Sequence, residues 1–173
     1  MAENPRKSLY LSLTDRLAVL KTRKIVKKIG RYNSQIANDS TEGASITPNV
    51  LISIVNKIKG TTGSNYELQK GLVIVTCHIG INIGKGIGTK DWDIMQAVYE
   101  ALQGEYPDGS DYHTFTALDR VDEVPDENYD KYYHGKVIFH TYLTDGTKNS
   151  AREGITGTIT TIDETVNGTK SGL

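Results

Sequence analysis

The segment Leu68 to Gly104 constrains the fold more than any other part of the chain. In it an apolar strand runs through a glycine loop into an amphipathic helix. Val73, Val75, Cys77, Ile79, Ile81 and Ile83 are apolar, and from Thr76 onward they alternate with small or polar residues, His78, Gly80 and Asn82. That period of two is the mark of a half-buried strand. Gly84, Gly86 and Gly88 break it. From Asp91 onward, Ile94, Met95, Val98, Ala101 and Leu102 fall at helical spacing, and Gly104 stands where a C-terminal cap is expected. A helix packed on a sheet follows, with Val73, Val75, Ile79, Ile81, Ile94, Met95, Val98 and Leu102 expected in one core. Nothing in the unit looks catalytic, and the remainder of the chain reads as built around a scaffold.

Upstream, Leu9, Leu13, Leu17 and Leu20 form one helical stripe, with Ser8 or Ser12 as its cap and an end near Lys21. Ile25, Ile29 and Gly30 suggest a short strand between Lys24 and Tyr32, and Asn38 to Ser45 reads as a loop. Pro48 opens a second strand through Val50, Ile52 and Ile54, whose continuous apolar character points to an interior position. Gly60 to Asn65 reads as a turn.

Downstream, Tyr106 to Asp111 is a turn, and Tyr112 to Val121 is a strand with His113, Phe115 and Ala117 on one side. Asp119 to Asp130 reads as a solvated acidic loop. Lys131 to Thr144 is a strand, with Tyr133, Val137, Phe139 and Leu143 opposite His134, Lys136, His140 and Tyr142. The last segment, Asp145 to Leu173, is rich in Thr and Gly, with a strand-like run at Ile155 to Ile162 and a hairpin-type Asn167-Gly168 pair. It is too polar for a core of its own and is read as an arm that orders on a partner chain. The expected fold is α+β: a mixed, mainly antiparallel sheet with two packed helices (residues 1–144) and an extended C-terminal arm (residues 145–173).

Composition narrows the chemistry. A chain of 173 residues suits one domain, and its net charge of −1 argues against non-specific nucleic-acid binding by the whole surface. Ten Tyr against two Phe suit rings with one wet end, as at protein interfaces. No signal-peptide pattern and no run of about 18 apolar residues is present, so assembly in a cytosol without a membrane is expected. Cys77 is the single cysteine and lies on the apolar face, so an inert core thiol is expected.

The glycine loop sits where a phosphate-binding loop would, but Lys85 is followed by Gly86 rather than Ser or Thr. The carboxylates lack EF-hand spacing. His134 and His140 share a strand face but stand about 20 Å apart at roughly 3.3 Å per residue. His78 and His113 can approach across the sheet, yet neither has an acidic residue fixed beside it, and structural roles are preferred. No Ser–His–Asp constellation follows from spacing. No catalytic residue, metal or cofactor is therefore expected.

Charge supplies the remaining signal. Lys21, Arg23, Lys24, Lys27, Lys28 and Arg31 place six cations within eleven residues, balanced by Asp119, Asp122, Glu123, Asp126, Glu127 and Asp130. Tyr32 alone supplies the aromatic interleaving of a single-strand binder. A basic edge and an acidic edge suit head-to-tail association of subunits, with two merely solvated segments as the alternative. The interface residues expected on this reading are the six cations together with Asp122, Glu123, Asp126 and Glu127.

The order of elements, from SLYLSLTDRLAVL through IVKKIGRYNSQIAND, ITPNVLISI and LQKGLVIVTCHIGINI to DWDIMQAVYEALQG, resembles the tail terminator proteins of tailed bacteriophages. In that family an aromatic-containing strand ending in an Asn/Gln pair, here Tyr32-Asn33-Ser34-Gln35, precedes a Pro-led apolar strand. The later acidic segment and final strand, Asp119 to Thr144, also agree, so the resemblance covers residues 8–144. It implies a virion protein, assembled in the host cytoplasm, of which six copies ring the end of the tail tube. Such a ring ends polymerisation and offers the head a joining surface. The implied partners are the tube protein, a neck or head-completion protein and the tail sheath, with DNA only as passing cargo. A head-completion protein at the portal side is the alternative within the virion. A small nucleotide- or metal-using enzyme on the loop 84–88 is the alternative of another class.

Overall fold

The computed structural model describes residues 4–34, 47–62, 68–82, 87–109, 113–124 and 132–146. The elements are α1 (Pro5–Thr22), β1 (Lys28–Arg31), β2 (Asn49–Thr62), β3 (Leu68–Asn82), α2 (Lys90–Leu102), β4 (His113–Phe115), β5 (Asp119–Val124) and β6 (Tyr132–Asp145). The six strands form one sheet in the order β1-β2-β3-β6-β4, with β5 also paired to β6. Only β1 and β2 run parallel among these pairs. The fold is α+β with a mixed, mainly antiparallel sheet and two packed helices.

Both helices cover the same face of the sheet. Leu9, Leu13, Leu17 and Leu20 of α1 and Ile94, Met95, Val98 and Leu102 of α2 join Val50, Ile52, Val73, Val75, Cys77, Ile79, Ile81, Val137, Phe139 and Leu143 in one core. All eight residues expected in that core are buried. The register explains the sidedness: Val75 pairs with Ile54 on one side and Phe139 on the other, so these positions share a pleat. Gly135 of β6 lies in this layer, where an added Cβ would meet Met95 Cε and come within 2.7 Å of the Tyr133 ring. Its missing side chain lets α2 sit close to the sheet.

Helix α1 begins earlier than the serines suggest. Asn4 is its N-cap, accepting a hydrogen bond from the Arg6 N–H at 2.9 Å, with Pro5 in the first turn. Ser8 and Ser12 are buried in the helix instead, and they bind the chain that follows α2. The Ser8 hydroxyl donates to Asp108 O at 3.2 Å, and Asp108 N–H donates to Ser12 Oγ at 3.1 Å. Arg16 adds an ion pair with Glu105. At the other end, Lys24 adopts φ 60°. Lys24 N–H then donates to Lys21 O and Ile25 N–H to Leu20 O, both at 2.9 Å, the two bonds of a left-handed helix cap. Gly104 adopts φ 74° just past α2, as its expected capping position requires.

Three boundaries differ from the sequence reading. Gly60 was expected in a turn, yet β2 continues through Thr62, with a register shift between Ile58 and Gly60. The strand expected over Tyr112 to Val121 is broken at residues 116–118, where Leu118 rather than Ala117 turns fully inward. Thr116 holds the break against β6: its N–H donates to Tyr142 O, and its hydroxyl accepts from Tyr142 N–H. Finally, Asp119 to Val124 is a strand and not a loop, because its backbone completes a ladder with β6 although Asp119 to Glu123 are exposed. Residues 83–86 of the glycine loop and 147–173 of the arm lie outside the described residues.

Candidate functional site

Sheet order sets the positions of the two charged segments. Lys21 lies in the last turn of α1, where a cation complements the helix dipole. Arg23 is the C-cap, Lys24 the left-handed residue, and Lys28 and Arg31 belong to the edge strand β1. Lys21, Arg23, Lys24, Lys27 and Arg31 are exposed, while Lys28 is half-buried. The cations are thus gathered along one border of the sheet.

Asp122 and Glu123 stand on β5 at the opposite border, with Asp119 beside them. Three strands, β2, β3 and β6, separate β1 from β5, which is about 19 Å at about 4.8 Å per strand. The end of α2 clasps β5: Gln103 Nε2 donates to Asp119 Oδ1 at 3.0 Å, and Arg120 N–H donates to Gln103 Oε1 at 2.8 Å. Arg120 lies 4.2 Å over the Tyr99 ring and pairs with Glu123 at 3.2 Å. Three carboxylates against one guanidinium leave this border acidic. Asp126 and Glu127 lie outside the described residues.

The face opposite the helices carries a cluster that spacing alone does not reveal. His78 Nδ1 lies 2.9 Å from His134 Nε2, and Ser53 Oγ lies 2.9 Å from His78 Nε2. The Tyr32 ring stacks on His78 with centroids 3.6 Å apart and planes 6° from parallel. His134 stacks at 5.8 Å from the same tyrosine. The sequence allowed His78 and His113 to approach across the sheet, and they do not. His113 packs edge-on against Phe115 on β4, because β4 meets the end of β6 and not β3. His78 pairs instead with Lys136, which places His134 on the neighbouring diagonal of the same face. The missing signal was the β3–β6 register.

A hydrogen bond between two imidazoles needs one N–H and one bare nitrogen, so the pair holds both rings and couples their tautomers. Tyr32 lies immediately beyond β1 and is tied by its N–H to Ile52 O at 2.8 Å, so the stack clamps the end of β1 onto the sheet. On the other face Cys77 is fully buried, and burial pushes its thiol up to about 12, away from any nucleophilic role near neutrality. Among the described residues no group of three or more His, Cys, Asp or Glu is placed to hold a metal ion. Among the described residues no helix is long and apolar enough to cross a membrane.

The sequence matches no protein-family model and no curated protein. Among solved structures, the fold is similar to a chain from the virion of a native gene transfer agent particle, with a TM-score of 0.57 and 9% sequence identity. The match covers 83% of this chain and 99% of that one, so the likeness is one of the whole fold.

Proposed function

We propose that this chain is a structural protein of a phage-like virion, acting as a tail terminator. Six copies form a ring on the tail tube, end its growth and give the head or neck a surface to join. The observation that carries this reading is the fold likeness to a virion chain over nearly that chain's full length. The geometry supports it: one sheet presents a basic border and an acidic border, an arrangement that suits head-to-tail contacts in a ring.

In this reading the basic segment Lys21–Arg31 of one subunit faces the acidic border of the next or the tube. Residues 1–144 form the assembling domain, and the arm 145–173, whose Asp145 still closes β6, crosses to another chain beyond that strand. The protein is a non-enzymatic part of the virion, assembled in the host cytoplasm. The buried, sulfur-inert Cys77 and the clamped histidines are consistent with a scaffold.

The test is gold labelling of an epitope-tagged chain in particles. Label at the head–tail junction supports the terminator role, whereas label confined to the head shell or the distal tail contradicts it. A label that stays on tailless heads points to the head-completion role instead.

A further inference from the structure

The two borders of the sheet differ in more than charge, because each leaves a strand incomplete. Strand β1 pairs with β2 only from Asn49 to Ile52. Among the described residues, nothing pairs with that side of β2 from Ser53 to Thr62, an edge of about 33 Å at about 3.3 Å per residue. At the other border β5 pairs with β6 on one side only, and its residues Asp119 to Glu123 are all exposed. A strand that buries so little in its own subunit gains little from folding there.

We infer that the outer edge of β2 in one subunit pairs, backbone to backbone, with the outer edge of β5 and β4 in a second copy, so that one sheet continues into the next. This rests on the head-to-tail ring proposed above and names its contact. Four observations converge on it.

The first is level. Followed through the ladders, Asp119 aligns with His140, Ile74 and Val55, and His113 aligns with Asp145, Gln69 and Thr61. The edge from His113 to Asp122 therefore spans the height of β2 from Thr61 to Ser53, its open part, while Glu123 and Val124 are level with Ile52 and Leu51, which β1 covers. The second is direction. β2 opposes β3, β3 opposes β6, and β6 opposes β5, so β2 and β5 run antiparallel. Rotation about an axis along the strands preserves direction, and a ring brings the two together as an antiparallel pair.

The third observation is charge. The open edge of β2 carries the exposed Lys57, and β5 carries Asp119, Asp122 and Glu123. Lysines on an edge repel a second copy of the same edge and admit an acidic one. The fourth is exposed apolar groups. Val55 is 50% exposed on β2 and Val121 44% exposed on β5.

The test is amide hydrogen exchange of the full chain, compared between dilute monomer and the assembled species isolated by size. Exchange in both 53–58 and 119–124 should slow by at least about tenfold on assembly, as for amides entering a ladder. Val121→Pro provides the second arm. The register shift between Arg120 and Asp122 leaves Val121 in a bulge with no Cα partner on β6, so proline there replaces no partnered residue of the subunit's own ladder. V121P should abolish assembly while V121A retains it, both with an unchanged monomer melt. An assembled ring in which either segment still exchanges as in the monomer overturns the edge pairing and leaves the ring standing. Assembly of V121P at the wild-type concentration dependence also overturns it. A chain that stays monomeric at every concentration refutes both the ring and its contact.

Discussion

Lys24 is the residue at which local backbone and assembly requirements separate. Its φ of 60° is costly for any side chain, by roughly 1–2 kcal/mol, and glycine avoids that cost. Lys24→Gly should therefore raise stability by about 0.5–1 kcal/mol in denaturant melts, after its greater unfolded-state entropy is offset. A loss of stability would contradict the capping geometry. Cys77 gives a pH test. Its thiol titrates at 9.0 in the open chain and at about 12 when buried, so above 9.0 the unfolded state releases a proton that the folded state keeps. Stability should thus be unaffected by this group below pH 9.0 and fall by up to about 1.4 kcal/mol per unit above it. A Cys77→Ala chain lacking that alkaline loss is the control. Tyr32→Ala should cost about 1–3 kcal/mol and loosen β1 first, since it removes the ring stacked on His78. Of these features the buried thiol was legible from alternation. The Tyr32–His78–His134 stack was not, because it depends on a diagonal across strands 56 residues apart.

At the scale of elements, periodicity located what packing decides. The stripe Leu9, Leu13, Leu17, Leu20 and the turn from Ile94 to Leu102 both became buried helix faces. Leu102→Ala should cost about 2–5 kcal/mol, read from urea melts, because the side chain is fully buried between α2 and the sheet. Gly135→Val should cost about 1–3 kcal/mol by crowding Met95 and Tyr133 beneath α2, with Gly135→Ala milder. What periodicity missed lies where a ladder, not burial, makes the element. Strand β5 is polar on both faces, so its sequence carries no alternation, and only the hydrogen bonds to β6 define it. The same holds for the end of β2, where Gly60, Thr61 and Thr62 resemble a turn in composition but pair with Lys70, Gln69 and Leu68. Ser8 and Ser12 misled for a related reason, since their hydroxyls answer the chain near Asp108 instead of their own helix end.

At the scale of the molecule, sequence showed two oppositely charged segments, and the fold placed the basic one and the described part of the acidic one, Asp119 to Glu123, at opposite borders of one sheet. Their separation by about a hundred residues said nothing of distance; strand order did. If these borders meet between subunits, association should weaken several-fold as salt rises from about 0.05 M to about 0.5 M, because screening shortens from about 14 Å to about 4 Å. A salt-independent constant would assign the contact to apolar groups instead. The most direct test of the ring itself is the mass of the purified chain by light scattering, paired with negative-stain images. The account predicts a closed annulus of about six times 19.1 kDa. Open filaments, or a 19.1 kDa monomer at every concentration, would contradict it.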